Sequence, residues 1–336
     1  MLSVVVPVRN EAENIVELHR RVVLALEDQA HAFELLFVDD GSNDATPALI
    51  ERLSEQDPRV RRVTLSRNFG HQAAVSAGLD FAEGAAVVVM DGDLQDPPEL
   101  IPRLVAEWRG GADVVYAVRA SRDEPRLKRL AYSAFYRLLR LVSDFEMPLD
   151  SGDFSLMDRK VVAVLTHLPE RLRFIRGLRT FVGFRQVGVA YDRPARHAGR
   201  SKYGLKALVR LAVDGLVGFS GYPLRMVAYA GLFVALAALG LMGWTLWDAL
   251  GPQTAPRGWA STLVVVLVLG AFQMLSLGIM GEYVRQIFLE VKQRPTYIVS
   301  QAPVETGRPR RVLSHPAHGR VRSGGDRHVP DRRWTA

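Results

Sequence analysis

The sequence predicts an α/β protein: a mostly parallel sheet with helices on both faces, followed by a C-terminal hairpin of two membrane-spanning helices. Three observations carry this. Short apolar runs alternate with helical patterns through the N-terminal part of the chain. Each run ends in a cluster of polar residues, and two long uncharged apolar stretches lie far downstream.

The first run, Ser3 to Val8, reads as a buried strand. It is too short for the apolar region of a signal peptide and lacks a basic lead, and Asn10-Glu11-Ala12-Glu13-Asn14 follows it into a helix over 12–29. Further strands are expected at Glu34 to Val38, Val60 to Leu65 and Ala85 to Met90, separated by helices over 45–56 and 71–83. A helix between successive strands carries the chain back to start the next one in the same direction, which is why alternation argues a parallel sheet. Ligands of such sheets bind beyond the carboxyl ends of the strands. A fifth run, Asp113 to Val118, ends at Arg119, and a basic amphipathic helix is expected over Pro125 to Val142.

Downstream, Tyr203 to Phe219 sets its apolar residues on one face and Lys206 and Arg210 off it, the pattern of a helix packed on the domain or lying in a membrane interface, and its position directly before an apolar span favours the interface. Val227 to Trp247 and Trp259 to Gly281 are uncharged over 21 and 23 residues, enough to cross a hydrocarbon layer about 30 Å thick. Lys202, Lys206, Arg210 and Arg225 precede the first span and Arg285, Lys292 and Arg294 follow the second, whereas the connector holds only Arg257. The positive-inside rule then places both termini and the N-terminal domain on the cytoplasmic side, with the two spans in the cytoplasmic membrane. The expected organisation is an α/β domain over 1–200, an interfacial helix over 201–222, the two spans within 223–284 and a cytoplasmic segment over 285–336. The hairpin also offers a surface for self-association.

Composition narrows the chemistry. Of 336 residues, 48% are hydrophobic and 24% charged, which excludes a disordered chain. The absence of cysteine excludes disulfides, thiolate metal sites and a cysteine nucleophile. The net charge of +7 is concentrated after Ser300, where eight arginines face three acids in a Gly/Pro/Arg/His tail that cannot bury a core. The remainder is nearly neutral, so nucleic acid is not an expected partner.

The polar clusters carry the functional signal. Asp91-Gly92-Asp93 ends the fourth run, with Gln95 and Asp96 close behind; two carboxylates one residue apart can hold a hard divalent cation and leave positions for phosphate oxygens. Asp39-Asp40-Gly41-Ser42 ends the second, where acids can accept hydrogen bonds from a base or a ribose, or cap the next helix. Pro7-Val8-Arg9-Asn10-Glu11 and Ser66-Arg67-Asn68 end the first and third. No Gly-x-Gly-x-x-Gly follows the first strand and no P-loop motif occurs, which disfavours dinucleotide and P-loop nucleotide binding.

Together these motifs resemble the family 2 glycosyltransferases of GT-A fold, specifically the membrane-bound polyprenyl-phosphate type related to dolichol-phosphate mannose synthase and the bacterial undecaprenyl-phosphate glucosyltransferases. The resemblance runs from about Leu2 to Val299 through VVPVRNEAENI, ELLFVDDGSNDAT, LSRNFGHQAAVSAGL, VVVMDGDLQDPPEL, SGDFSLMDR and RHAGRSKYG. It implies that Pro7, Arg9, Glu11, Asp39 and Asp40 surround the base and ribose of a nucleotide sugar. Asp91, Asp93 and Gln95 would bind Mg²⁺ or Mn²⁺ at the diphosphate, and Arg119, Arg129 and Ser133 would receive the acceptor phosphate. Arg196 and Lys202 would close over the phosphates, and Asp153 matches the proposed catalytic carboxylate, acting with Asp93 and Lys202. Arg9 stands where the family often has Tyr, and His71 where it often has Lys; both bear on donor preference.

The implied reaction is inverting transfer from a nucleotide sugar, UDP-glucose or a related UDP-sugar, to undecaprenyl phosphate. A phosphate acceptor is already ionised near neutrality, so Asp153 either acts as a base or only orients substrate. A GDP-mannose-dependent mannose synthase and a non-catalytic membrane scaffold are the alternatives. A processive polysaccharide synthase is disfavoured, because no Gln-x-x-Arg-Trp motif occurs.

Overall fold

The computed structural model describes residues 1–27, 32–119, 151–171, 173–191, 222–249 and 258–302. Its centre is one eight-stranded sheet: β1 (Leu2–Val8), β2 (Phe33–Asp39), β3 (Val60–Leu65), β4 (Ala86–Val89), β5 (Val114–Arg119), β6 (Ser151–Asp158), β7 (Gln186–Tyr191) and β8 (Val299–Gln301). Their order is β7-β5-β6-β4-β1-β2-β3-β8. Only β6 and β8 run against the others, so the expected mostly parallel sheet is present.

Every residue of β1 and β2 is buried, because helices cover both faces and leave no polar side to alternate. Val4 and Val6 of β1 pack into a core with α1 (Ala12–Glu27), α2 (Thr46–Gln56) and α4 (Ile101–Arg109). Val5 points the other way, into a core with α3 (His71–Phe81), α5 (Arg159–His167) and α6 (Ile175–Phe181). The three helices expected between the first four strands and the five expected strands therefore fall where the apolar pattern sets them, within a residue or two at the described ends.

Two features position the site. The order reverses at β1, which has β2 on one side and β4 on the other, and this opens a crevice above their carboxyl ends. β6 then runs antiparallel to β4 with Ser155 opposite Val89, which brings the start of β6 to the end of β4. Asp153 arrives beside Asp91 by this route. The sequence reading assigned no strand to β6, β7 or β8.

Two long helices follow, α7 (Tyr222–Ala249) and α8 (Trp259–Val291), and the Tyr283 hydroxyl of α8 reaches the backbone of Leu224 in α7. The start of one thus meets the end of the other, as in an antiparallel pair. Among the described residues no helix is long and apolar enough to cross a membrane. Within the two spans expected from the sequence, the described side chains run unbroken only over 227–240 and 268–281. After α8 the chain returns to the catalytic sheet: Ser66 N–H donates to Ile298 C=O at 2.8 Å, β8 pairs with β3, and Arg62 Nη2 donates to Gln301 Oε1 at 2.8 Å. The helices expected over Pro125–Val142 and Tyr203–Phe219, and the basic tail, lie outside the described residues.

Candidate active site

The donor side of the crevice is built from the ends of β1 and β2. Asp39 is buried and its Oδ1 accepts the Ser42 N–H at 2.9 Å, closing the turn after β2. Ser42 Oγ in turn accepts the Asn10 N–H at 3.0 Å, and Thr46 Oγ1 accepts the Glu11 N–H at 2.9 Å. These bonds lash the turn after β1 to the turn after β2, which sets Arg9 and Glu11 at one rim, with Pro7 buried in β1 below.

Asp40 is also buried, and its two oxygens accept the N–H groups of Phe69 at 2.7 Å and Gly70 at 2.9 Å. Burial raises its pKa above the usual carboxylate value, opposed by these two donors. Both of its oxygens are therefore engaged by the β3–α3 loop. Gly41, next to Asp40 in the chain, has φ +67°, and a Cβ there would lie 2.7 Å from the Arg67 carbonyl carbon and from Asn68 N.

The Asp91-Gly92-Asp93 turn is shaped from beneath. Asp96 is buried; its Oδ2 accepts the Asp91 N–H at 3.3 Å and its Oδ1 accepts the Tyr191 hydroxyl of β7 at 3.1 Å. A Cβ on Gly92 would meet Val8 Cγ1 at 2.9 Å, so the turn can lie this close to β1 only with glycine. Asp93 Oδ1 accepts the Gln95 N–H at 3.2 Å, which keeps Gln95 beside the pair. Among the described residues no three His, Cys, Asp or Glu groups are gathered to hold a metal by protein ligands alone. Two carboxylates and an amide oxygen still fit a hard divalent cation that takes its remaining ligands from water and phosphate. Burial pushes the Asp91 carboxyl up, with Asp153 and Asp93 adding to the effect and His71 and Arg176 opposing it.

Asp153 is the most crowded carboxylate. Arg176 Nε donates to its Oδ1 at 2.7 Å and Arg176 Nη2 to its Oδ2 at 3.3 Å. His71 Nε2 stands 3.1 Å from Oδ2 and Gln72 Nε2 donates there at 3.3 Å. Burial would raise its pKa, but Arg176 and His71 outweigh it and hold the carboxyl well below the usual range. His71 also lies 3.6 Å from Asp91 Oδ1. Its own burial disfavours charge, yet the bond to Asp153 and the field of Asp91 raise it to about 9, which keeps it a cation at neutral pH. Gln72 Oε1 accepts the Ile175 N–H at 2.9 Å, and this fixes the start of α6 against α3.

The structure thus brings Asp91, Asp93, Gln95 and Asp153 to one end of the sheet, with Pro7, Arg9, Glu11, Asp39 and Asp40 on its other flank. Arg119 ends β5, and its side chain is outside the described set; Arg129, Ser133, Arg196 and Lys202 lie outside the described residues altogether. Sequence reasoning missed Gln72, Arg176 and Arg179, and noted His71 only for its residue type. The signal was there in Arg173, Arg176 and Arg179, spaced three apart in the otherwise apolar RFIRGLRTF, where buried charges require partners.

Residues 3–166 match the Glycosyl transferase family 2 model. Over 301 residues, 89% of this chain and 93% of the relative, the sequence is 43% identical to the glycosyltransferase YkcC of Bacillus subtilis (strain 168). The chain belongs to glycosyl transferase family 2. This family 2 glycosyltransferase is also 42% identical, over 90% of its length and 98% of the relative's, to the SfII prophage-derived bactoprenol glucosyl transferase of Shigella flexneri. A prophage bactoprenol glucosyl transferase homolog of Escherichia coli (strain K12) is 40% identical over 89% of the chain and 98% of the relative. Glucosyl-3-phosphoglycerate synthase from Mycobacterium tuberculosis, solved with Mg²⁺ and UDP, is 23% identical over 66% of this chain and 79% of that one, at a TM-score of 0.49.

Proposed function

We propose that this enzyme transfers glucose from UDP-glucose to a polyprenyl phosphate of the undecaprenyl class, with inversion, at the cytoplasmic face of a membrane. The observation that carries the acceptor class is the occupation of Asp153. Both of its oxygens are engaged by Arg176, His71 and Gln72, so it is poorly placed to take a proton. A hydroxyl acceptor needs a base, whereas a phosphate arrives ionised and needs only to be held and aimed. The bactoprenol glucosyl transferase names of the Shigella and E. coli relatives support the same lipid and the same sugar.

In this reading Arg9, Glu11 and Asp39 hold the nucleoside, and Asp91, Asp93 and Gln95 hold Mg²⁺ or Mn²⁺. The cation would neutralise the diphosphate as it leaves. Arg196 and Lys202 close over the donor phosphates, while Arg119, Arg129 and Ser133 take the acceptor phosphate, in the roles the family resemblance implies. α7 and α8 form a two-span hairpin that keeps the catalytic domain and both termini cytoplasmic. The return of β8 to β3 supports an even number of crossings, because the chain before α7 and the chain after α8 belong to one sheet.

The experiment is incubation of membranes containing the full chain with undecaprenyl phosphate and, separately, labelled UDP-glucose, UDP-galactose, UDP-N-acetylglucosamine and GDP-mannose. The expected result is an acid-labile labelled lipid from UDP-glucose. Label from GDP-mannose alone would reassign the donor, and label in no lipid with any donor would overturn the acceptor class.

A further inference from the structure

The turn that carries Asp91, Asp93 and Gln95 is strained. Leu94, between the last two, has φ +60°, in the left-handed region where a Cβ meets the neighbouring carbonyl oxygen. Its side chain is buried in the core that α1 and α4 share with the sheet, so the backbone cannot relax without pulling a leucine out of that core. A bulky residue keeps such a conformation only where its surroundings fix the chain on both sides. Before Leu94 the fixing is done by β4 and by Gly92, which lies against Val8. After it the fixing falls to Asp96.

Asp96 is buried and spans two places at once. Its Oδ2 accepts the Asp91 N–H at 3.3 Å, which closes the turn on itself across five residues. Its Oδ1 accepts the Tyr191 hydroxyl at 3.1 Å, from a residue 95 positions on. Tyr191 is buried at the end of β7, where it lies in register with Arg119 of β5. Its ring meets Phe154 edge-on, with 6.1 Å between centroids, and Phe154 follows Asp153 in β6. The hydroxyl is thus bedded in the β5–β6–β7 half of the sheet, while the turn it holds hangs from β4. A buried carboxylate is costly, and an apolar residue would fill the same space more cheaply; what the carboxylate adds is a link between the Asp91 backbone and β7.

We infer that Asp96 and Tyr191 are positioning residues for the divalent cation, their bond holding the Asp91-to-Gln95 turn in the strained conformation that binds it, which rests on reading Asp91, Asp93 and Gln95 as the ligands. Tyr191 acts through Asp96, and Asp96 through the backbone of Asp91. Groups one step removed from a metal ligand set its direction and so its affinity. The chain that leaves Tyr191 leads in sequence to Arg196 and Lys202, so the same tyrosine also marks where the segment assigned to the donor phosphates departs from the sheet.

The test uses the full chain in detergent, with Mn²⁺ and UDP as probes and no acceptor, and compares wild type with Tyr191→Phe, Asp96→Ala and the double variant. Free Mn²⁺ is followed by electron paramagnetic resonance as it is titrated into UDP-saturated protein, and UDP affinity is measured separately in excess chelator. Tyr191→Phe keeps the ring against Phe154 and removes only the hydroxyl; it should raise the half-saturating Mn²⁺ concentration roughly ten- to a hundredfold. Its UDP affinity in chelator should match wild type, which also reports that the variant folds. Asp96→Ala should be at least as impaired, and the double variant no worse than Asp96→Ala, because the hydroxyl acts through that carboxylate. Tyr191→Phe alone decides the matter if Asp96→Ala does not fold. A bond that serves stability alone would lower the unfolding temperature of Tyr191→Phe and leave its half-saturating Mn²⁺ concentration unchanged, and that result overturns the inference. So does a double variant clearly worse than Asp96→Ala, or a loss of UDP affinity that is the same in chelator as in Mn²⁺. A wild-type protein that takes up no Mn²⁺ and binds UDP equally with and without it overturns the cation reading instead, and with it this inference.

Discussion

Asp40, at the end of β2, holds the backbone of Gly70, at the start of α3, with 2.9 Å between its Oδ2 and the glycine nitrogen. The neighbouring Phe69 N–H takes its other oxygen at 2.7 Å. One acidic side chain thereby sets the path of the loop that delivers His71 and Gln72 to Asp153. Asp40→Asn replaces one acceptor oxygen by a donor that faces an N–H. We predict a stability loss of about 1.5–3 kcal/mol, the usual range for a hydrogen bond to a charged group. The acceptor KM should rise too, since His71 and Gln72 lose their placement. Urea unfolding and acceptor kinetics check both; a variant weakened only in UDP binding would return Asp40 to the nucleotide.

Gly41 makes the adjoining turn possible. At φ +67° a Cβ costs roughly 1–2 kcal/mol from backbone strain alone. Here it would also press on the Arg67 and Asn68 backbone at 2.7 Å, atoms that cannot swing aside as a side chain can. Gly41→Ala should therefore destabilise by more than the strain figure and displace the β3–α3 loop. Retention of wild-type stability and donor KM would show that the turn has room that the geometry denies.

The two halves of the site differ in how far sequence alone reveals them. Val4 to Val8, Leu35 to Val38 and Val87 to Val89 are unbroken apolar runs, and their parallel neighbours follow from the helices between them. Asp91 and Asp93 were legible for the same reason, since a strand's end is a local property. β6 was not: Ser151–Asp158 alternates polar and apolar residues, and only its pairing with β4 and β5, distant in sequence, makes it a central strand. Asp153 was therefore legible as a motif, while Arg176 and Gln72, which reach it from α6 and α3, were not. β8 is three residues long and carries no periodicity of its own.

A metal prediction follows from the donor set at the end of β4. His71 Nε2 stands 3.6 Å from Asp91 Oδ1, and a diphosphate arriving at Asp91 and Asp93 would add negative charge to two carboxylates. A divalent ion contributes several kcal/mol to stabilising a leaving diphosphate, and ~1.4 kcal/mol is a factor of ten in rate. Chelator should reduce turnover by at least roughly a hundredfold, with recovery on adding Mg²⁺ or Mn²⁺. Asp93→Ala should match the chelated wild type and gain little from added metal. Full turnover in excess chelator would remove the metal from the mechanism.

The last prediction concerns topology, and β8 supplies its argument. Val299–Gln301 pairs with β3 at Thr64 and Leu65, and the Tyr297 hydroxyl donates to Asp80 Oδ2 in α3 at 2.5 Å. The chain leaving α8 therefore rejoins the sheet to which β7, the last described strand before α7, also belongs. If α7 and α8 cross a bilayer, they cross as a pair, and the connector between Ala249 and Gly258 is the segment delivered to the far side. The chain contains no cysteine, so single cysteines can be placed without a background. In intact cells a cysteine at Gln253 should react with an impermeant thiol reagent, while one at Ser300 should react only after the membrane is opened. Protection of both positions would mean that the helices lie on the membrane rather than through it. Labelling of Ser300 in intact cells would put the catalytic domain on the outer face, where a cytoplasmic nucleotide sugar could not reach it.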